Sequence, residues 1–174
     1  GRGSNMPAQP VSGRFYRIIF ASDRDAPLRG ARSPEGRFHH DGEAALYMSP
    51  SPQAAAFAIA RYLRPNDPPR LLQPLHLEAA QLIDLRNPTV IRHLGLNGDE
   101  ASVPWQPERQ QGLPATPWRA SDAARAAGAD GILYAARSEP SRWHIVLFRW
   151  NSTGPRLVPD GPATPFLPNP TPAT

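Results

Sequence analysis

Seven side chains that could bind an anion or an aromatic ligand fall within 33 residues of the sequence. They are Arg17, Arg32, Arg37, His39, His40, Tyr47 and Ser49. The segment around them is otherwise apolar, with F-Y-R-I-I-F and A-L-Y-M-S on either side of G-A-R-S-P-E-G-R-F-H-H. A guanidinium in an apolar strand is costly unless an anion or several hydrogen-bond acceptors satisfy its donors. The pattern therefore predicts a site for a phosphate-bearing ligand with a flat ring.

Two strands and a helix are predicted to position these side chains. Residues 14–20 alternate aromatic, basic and aliphatic side chains, and residues 45–49 form a second short apolar run, so both are predicted strands. Between them, residues 22–31 are predicted to be a loop, and residues 32–43 a loop or a short strand. Ser51 followed by Pro52 predicts a helix start, and the helix should run to about residue 63.

The remaining chain predicts an α+β fold. Extended pieces are expected at 71–77 and 82–85, and a short helix at 88–95. The stretch 96–118 reads as a long loop, either functional or mobile. Ser121 should cap a further helix that ends at Gly128, and two strands should follow at 131–135 and 143–150. This order predicts mixed β-sheets with peripheral helices.

One domain is expected over residues 14–150. The segment 151–174 has seven prolines in 24 residues and is predicted to be an extended tail, packed on the domain or trailing from it. Residues 1–5, ahead of Met6, read as a cloning remnant.

Composition excludes several classes of function. There is no cysteine, which excludes disulfides and a thiolate nucleophile, and all 19 basic residues are arginine, which excludes Schiff-base chemistry on lysine. The net charge is only +4 and the arginines are dispersed, so we expect no direct nucleic-acid binding. No apolar run is long enough for a membrane span and no signal peptide follows Met6, so we expect no membrane association and a cytoplasmic location.

The sequence lacks the familiar phosphate and nucleophile motifs. Neither a P-loop, nor a glycine-rich dinucleotide loop, nor a G-x-S-x-G elbow is present. The run His39-His40-Asp41 is the strongest metal candidate, but adjacent histidines on a strand point to opposite faces. We therefore predict no metal site.

The order of these motifs resembles the RES domain. Tyr16-Arg17, the loop G-A-R-S-P-E-G-R-F-H, A-L-Y-M-S before a proline-started helix, and the late D-G-I-L-Y-A-A-R carry the resemblance, over residues 14–150. It implies a fold similar to that of ADP-ribosyltransferases and NAD+ as the substrate. It also implies a bacterial toxin encoded beside an Xre-type antitoxin, which would neutralise it by occluding the site.

The resemblance transfers to individual positions. The strand arginine of the family falls on Arg17, the loop arginine on Arg37 and the strand tyrosine on Tyr47. The glutamate and serine in the family name fall on Ala58 and Ala136, so both are missing at the aligned positions.

These positions suggest a set of roles. Arg17 and Arg37 would bind the diphosphate with help from Arg32 or Arg137, and Tyr47 would pack on the nicotinamide ring. His39 or His40 would bond a ribose hydroxyl, with Ser49 also facing the ligand. The simpler interpretation is that Tyr47 is a core residue and the histidines are ordinary loop residues. A carboxylate could come from Asp41, Glu43, Asp99 or Glu100, and the sequence selects none.

Three functions remain open at the level of sequence. The first, which we favour, is transfer of ADP-ribose from NAD+ to a protein acceptor, expected to be a metabolic enzyme. The second is breakdown of NAD+ by water or phosphate. The third is a binding module without turnover, because the aligned glutamate and serine are absent.

Overall fold

A 15-residue strand, β3, is the element on which the rest of the sheet is assembled. The computed structural model describes residues 7–168. The strands are β1 (Gln9–Phe20), β2 (Leu46–Met48), β3 (Arg70–Asp84), β4 (Gly131–Ala135), β5 (Trp143–Leu147), β6 (Arg156–Pro159) and β7 (Thr164–Phe166). The helices are α1 (Pro52–Ile59), α2 (Pro88–His93), α3 (Trp105–Gln110) and α4 (Pro117–Ala126). Short 3-10 turns cover Ala21–Asp23, Ala60–Tyr62 and Glu100–Ser102.

The sheet follows the order β1-β3-β4-β5-β2. Strands β3 and β4 are parallel, whereas the other neighbours on this path are antiparallel. A backbone bridge between Tyr16 and Ser49 brings β2 back against β1 and closes the path into a ring. This mixed sheet with peripheral helices confirms the predicted α+β class.

Strand β3 is paired along both of its edges. All of β1 lies on one edge, while β7, β6 and β4 follow one another along the other. Residues 156–159 and 164–166 of the proline-rich segment therefore belong to the sheet, and Leu157 is fully buried in its core. Pairing of this kind satisfies backbone groups that an open edge would leave exposed.

Side chains alternate between two apolar clusters on opposite faces of the strands. Leu46, Met48 and Ile145 belong to one cluster, whereas Tyr134 and Val146 belong to the other. Because successive strand residues point to opposite faces, Tyr47 and Ser49 lie on the face of the second cluster. The candidate site is on that face.

Local sequence signals were correct for α1 and incorrect for α4. The Ser51 hydroxyl accepts a hydrogen bond from the Ala54 amide at 3.0 Å, as the Ser-Pro start predicted. Ser121 is not a cap, because Pro117 starts α4 one turn earlier and the Ser121 hydroxyl donates within the helix to the Trp118 carbonyl at 3.3 Å.

Two further predictions were wrong about regular structure. The extended pieces expected at 71–77 and 82–85 are one continuous strand, since β1 pairs along nearly its whole length. The stretch 96–118 is also not structureless, because it contains a 3-10 turn and α3. No helix in the described chain has both the length and the apolar character to cross a membrane.

Candidate active site

A cavity of about 490 Å³ opens on the sheet face that carries Tyr47. Its floor is formed by Tyr47 on β2, Tyr134 on β4 and His144 on β5. Its walls come from the loop 33–39, from the end of α1 with the turn behind it, and from residues 103–106 before and in α3. A cavity of this size can bury a ligand as large as a dinucleotide in part or in full.

A second cavity of about 140 Å³ adjoins the first. The residues common to both walls are Tyr47, Ala58, Ile59, Tyr134 and His144. The two cavities therefore form one site with a narrower inner part.

The loop 33–39 is held tightly against the sheet. A side chain at Gly36 would collide with the His39 ring, since an added Cβ would lie 2.4 Å from the His39 Cε1 atom. The Gly36 amide donates to the His39 carbonyl at 2.8 Å, and its carbonyl accepts from the Trp118 indole at 2.8 Å. Glycine is thus required at the point where the loop approaches the cavity.

His39 and Tyr47 form a closed hydrogen-bond chain. The His39 Nε2 atom lies 2.9 Å from the Ser33 carbonyl, which can only accept, so Nε2 carries the proton. The Tyr47 hydroxyl therefore donates to His39 Nδ1 at 2.8 Å, and it accepts from the Phe38 amide at 2.9 Å. Burial lowers the pKa of His39 and raises that of Tyr47, which keeps both groups neutral.

Arg37 is a half-buried cation on the wall of the larger cavity. Its Nη2 atom donates to the Ala101 carbonyl at 2.6 Å, and its guanidinium lies 4.9 Å from the Tyr134 ring centroid. Burial lowers the pKa of Arg37, so an anionic ligand would relieve the cost of its charge.

Arg17 faces the smaller cavity and also ties β1 to the following loop. Its Nη1 atom donates to the carbonyls of Pro27 and Arg29 at 3.0 and 2.7 Å. Burial lowers the pKa of Arg17 to about 10, which leaves it protonated at neutral pH. Backbone carbonyls therefore supply some of the hydrogen-bond acceptors that Arg17 needs in an apolar strand.

Arg61 and Arg137 add two exposed cations to the wall of the larger cavity. Within residues 7–168 neither guanidinium forms an ion pair or a hydrogen bond with the protein. Together with Arg37 they give the cavity a positive potential, because fewer carboxylates than arginines line it. Arg61 was not anticipated from the sequence.

The two alanines at the aligned family positions both face the larger cavity. Ala58 lies on α1 and Ala136 directly follows β4. A glutamate at position 58 and a serine at position 136 would project into this space, whereas the two alanines give the wall no polar group at these positions.

Ser49 and His144 form a buried pair beside the junction of the cavities. The Ser49 Oγ and His144 Nδ1 atoms lie 2.8 Å apart, and both residues are less than 5% exposed. Burial, followed by the charges of Arg37 and Arg142, lowers the pKa of His144 to about 4. The sequence singled out Ser49 but gave no signal for His144.

Arg32 and His40 lie outside both cavity walls. Arg32 forms an ion pair with Asp23. The two ring nitrogens of His40 bond Asp41 at 2.6 Å and Asp122 at 2.8 Å. Burial opposes the charge of His40, but these two hydrogen bonds outweigh it and raise its pKa.

His40, Glu43 and Asp122 are close enough together to hold a metal ion. However, both His40 nitrogens already contact carboxylates, and Glu43 forms a 3.0 Å ion pair with Arg125. The carboxylates are therefore already paired with His40 and Arg125, so we assign no metal to this cluster.

Glu35 is the one carboxylate on the wall of the larger cavity in the described part of the chain. Both of its oxygens bond Arg109 on α3, at 2.9 and 3.2 Å, and this pairing lowers the pKa of Glu35. The carboxylates considered from the sequence are all elsewhere: Asp41, Glu43, Asp99 and Glu100 line neither cavity.

Comparison with known proteins identifies the family. The profile of the RES domain matches residues 14–169, so this chain belongs to the RES domain family. The crystal structure of the M. tuberculosis MbcT–MbcA toxin–antitoxin complex has a similar fold, with a TM-score of 0.63 and 18% sequence identity, over 96% of this chain and 91% of that chain. A search of curated proteins finds no match.

Proposed function

We propose that this protein is the toxin of a bacterial toxin–antitoxin system and that it transfers ADP-ribose from NAD+ to a protein acceptor. The observation that carries the proposal is the larger cavity, which is lined by three arginines and several aromatic rings. Arginine forks suit a diphosphate, and aromatic faces suit the flat rings at either end of a dinucleotide.

Arg37, Arg61 and Arg137 bind the diphosphate in this proposal. Tyr47 offers its ring to the nicotinamide, because its hydroxyl is already engaged by His39 and Phe38. The C1′–N bond then breaks, and its electron pair passes to the nicotinamide nitrogen. The positive charge left on the ribose resembles that in glycoside cleavage, where a carboxylate stabilises it. In this proposal that carboxylate is Glu35, which lies on the cavity wall.

Transfer is favoured over hydrolysis by the two cavity alanines. Ala58 and Ala136 cannot hold or deprotonate a water molecule, so a nucleophile from an acceptor protein meets less competition. The lone pair of that nucleophile forms the new bond to C1′, and its proton passes to solvent. Breakdown of NAD+ by water remains the second candidate, because water can attack the same ribose carbon and lose its proton to solvent.

We further propose that an Xre-type antitoxin covers the mouth of the larger cavity in the cytoplasm. The similar solved structure is itself a toxin–antitoxin complex. Tyr62, which lies on the cavity wall with 44% of its surface exposed, is a suitable contact for such a partner.

The proposed function can be tested with NAD+ labelled in its ADP-ribose part. The purified protein is incubated with it, with and without a bacterial lysate, and the label is followed in the protein and small-molecule fractions. We expect label on a discrete protein band, lost in Arg37→Gln and retained in Arg92→Gln. Arg92 is a matched control because it lies on α2, outside both cavities.

Label found only in small molecules would instead support breakdown of NAD+. Absence of turnover in either fraction would overturn both enzymatic proposals. Calorimetric titration with NAD+ would then show whether the protein is a binding module.

A further inference from the structure

The row of side chains that crosses the inner part of the site is set by strand register. Ser49 follows β2, His144 lies on β5 and Tyr134 lies opposite it on β4. The His144 ring consequently has Ser49 on one side and Tyr134 on the other. His144 is 4% exposed, yet it lines both cavities. Its small exposed part is therefore directed into the site.

The bond between Ser49 and His144 fixes the position of the ring proton. In residues 7–168 the Ser49 hydroxyl has no acceptor other than His144 Nδ1, at 2.8 Å. A buried hydroxyl hydrogen without an acceptor is costly, so Ser49 donates to Nδ1 and the proton of the neutral ring is on Nε2.

The Nε2 atom of His144 is open to the site. It has no hydrogen-bond partner within the described chain, and no fully buried side-chain nitrogen or oxygen there lacks one. Nε2 must therefore reach accessible space, and the accessible space beside His144 is the two cavities.

The surroundings of His144 keep it uncharged. Arg37 and Arg142 repel a second proton, Tyr134 and Tyr47 are neutral, and burial lowers the pKa of His144 to about 4. Phosphate oxygens are better matched by the arginines of the wall than by a neutral imidazole. A neutral N–H suits an uncharged oxygen.

We propose that His144 donates a hydrogen bond from Nε2 to an uncharged oxygen of the ligand where the two cavities meet, with Ser49 holding the ring in the required tautomer. The assignment of the ligand rests on the proposed function, since NAD+ offers such oxygens in its carboxamide and in its ribose hydroxyls. His144 is then a binding residue, and Ser49 is a positioning residue that acts through it.

The test is nitrogen NMR of protein labelled in its histidines. At pH 7 the His144 signals should show a protonated Nε2 and an unprotonated Nδ1. Saturating NAD+ should shift the Nε2 signal, while the signals of His76, which lies outside both cavities, stay in place. Nicotinamide alone and ADP-ribose alone, added separately, distinguish the carboxamide from the ribose as the source of the oxygen.

Two substitutions complete the test. His144→Phe should weaken NAD+ binding about tenfold, as expected for one hydrogen bond, and His144→Gln should recover part of the loss because it retains an N–H donor. Ser49→Ala should leave the protein folded, but His144 should then populate both neutral tautomers because its Nδ1 partner is lost. His76→Gln should behave as the unaltered protein does.

A proton on Nδ1 in the free protein would overturn the proposal, and so would an unmoved Nε2 signal in the NAD+ complex. Failure of NAD+ to bind the unaltered protein would overturn the proposed function instead. The tautomer of the free protein would still decide the role given to Ser49.

Discussion

At the scale of single residues, some polar groups of the cavity already have hydrogen-bond partners in the protein, and others can bond a ligand. His39 and Tyr47 satisfy each other and the neighbouring backbone, so each can offer a ligand mainly the surface of its ring. Arg61, Arg137 and the Nε2 atom of His144 have no such partners in the described chain. Recognition of a ligand should therefore depend more on these groups than on His39.

Restoring a carboxylate at Ala58 should alter the reaction. Ala58 faces both cavities on α1, so Ala58→Glu would place an acid where it can hold water against the ribose. We expect hydrolysis of NAD+ to rise by about tenfold or more, in line with general acid–base catalysis. Release of free ADP-ribose measures it, and Ala58→Gln is the matched control. An unchanged rate of release would contradict the alignment of Ala58 with the family glutamate.

Because His144 is neutral in the folded protein, the free energy of unfolding should decrease at acidic pH. A histidine has a pKa of about 6.5 when unfolded, and burial lowers that of His144 to about 4. Between these values the unfolded chain binds a proton that the folded protein rejects, so the free energy of unfolding falls as the pH drops. Urea unfolding at pH 7.5 and 4.5 measures how far the free energy of unfolding falls in acid. This decrease should be about 2 to 3 kcal/mol larger for the unaltered protein than for His144→Gln. Equal losses in the two proteins would contradict the neutral assignment.

At the scale of elements, sequence signals were reliable where the determinants are local. The alternating pattern before Phe20 and the Ser51-Pro52 start gave β2 and the start of α1 nearly as the structure has them, whereas β1 begins at Gln9, five residues before its predicted start. The site loop was also placed correctly between the two strands. What it contacts could not be derived, because Ala101 and Trp118 meet it from more than 60 residues away.

The missed parts of the site have the same physical cause. Glu35 becomes part of the cavity because Arg109 of α3 holds it there, and α3 lies in a stretch without hydrophobic periodicity. His144 becomes part of the site because strand pairing places it beside Ser49, which is 95 residues earlier in the chain. Neither contact leaves a signal in local sequence.

The ion pair between Glu35 and Arg109 should position two walls of the cavity without contributing much to stability. Each side chain is about one-third exposed, and solvent-accessible pairs of this kind contribute little to stability. Arg109→Gln should therefore leave the free energy of unfolding nearly unchanged, while raising the KM for NAD+ several-fold because α3 and Glu35 are released. Arg86→Gln is the control, since Arg86 also binds both oxygens of an acid, Asp84, outside the cavities. A KM that changes equally in both variants would contradict the role given to α3.

At the scale of the whole molecule, the proline-rich segment completes the sheet. Strands β6 and β7 cover the part of β3 that β4 does not reach. Asn151 fixes the turn before them, because its side chain exchanges two hydrogen bonds with the backbone of Leu157 at 2.9 and 2.8 Å. The prolines of this segment had suggested an extended tail, and proline is indeed compatible with short strands at a sheet margin.

Removing the side chain of Leu157 should measure how much this segment contributes. Leu157 has no exposed surface and lies in the cluster with Leu75 and Leu77. Leu157→Ala should lower the free energy of unfolding by about 2 to 5 kcal/mol. Leu167→Ala, at a position 81% exposed, should change it by less than about 0.5 kcal/mol. Similar small effects in both variants would mean that β6 is dispensable.

The pairing of β3 with strands on both sides of it in sequence also sets an order of events during protein synthesis. Strand β1 leaves the ribosome some 50 residues before β3, while β6 and β7 are made after β4 and β5. A nascent chain therefore cannot complete this sheet or bury Leu157 until β6 has left the ribosome.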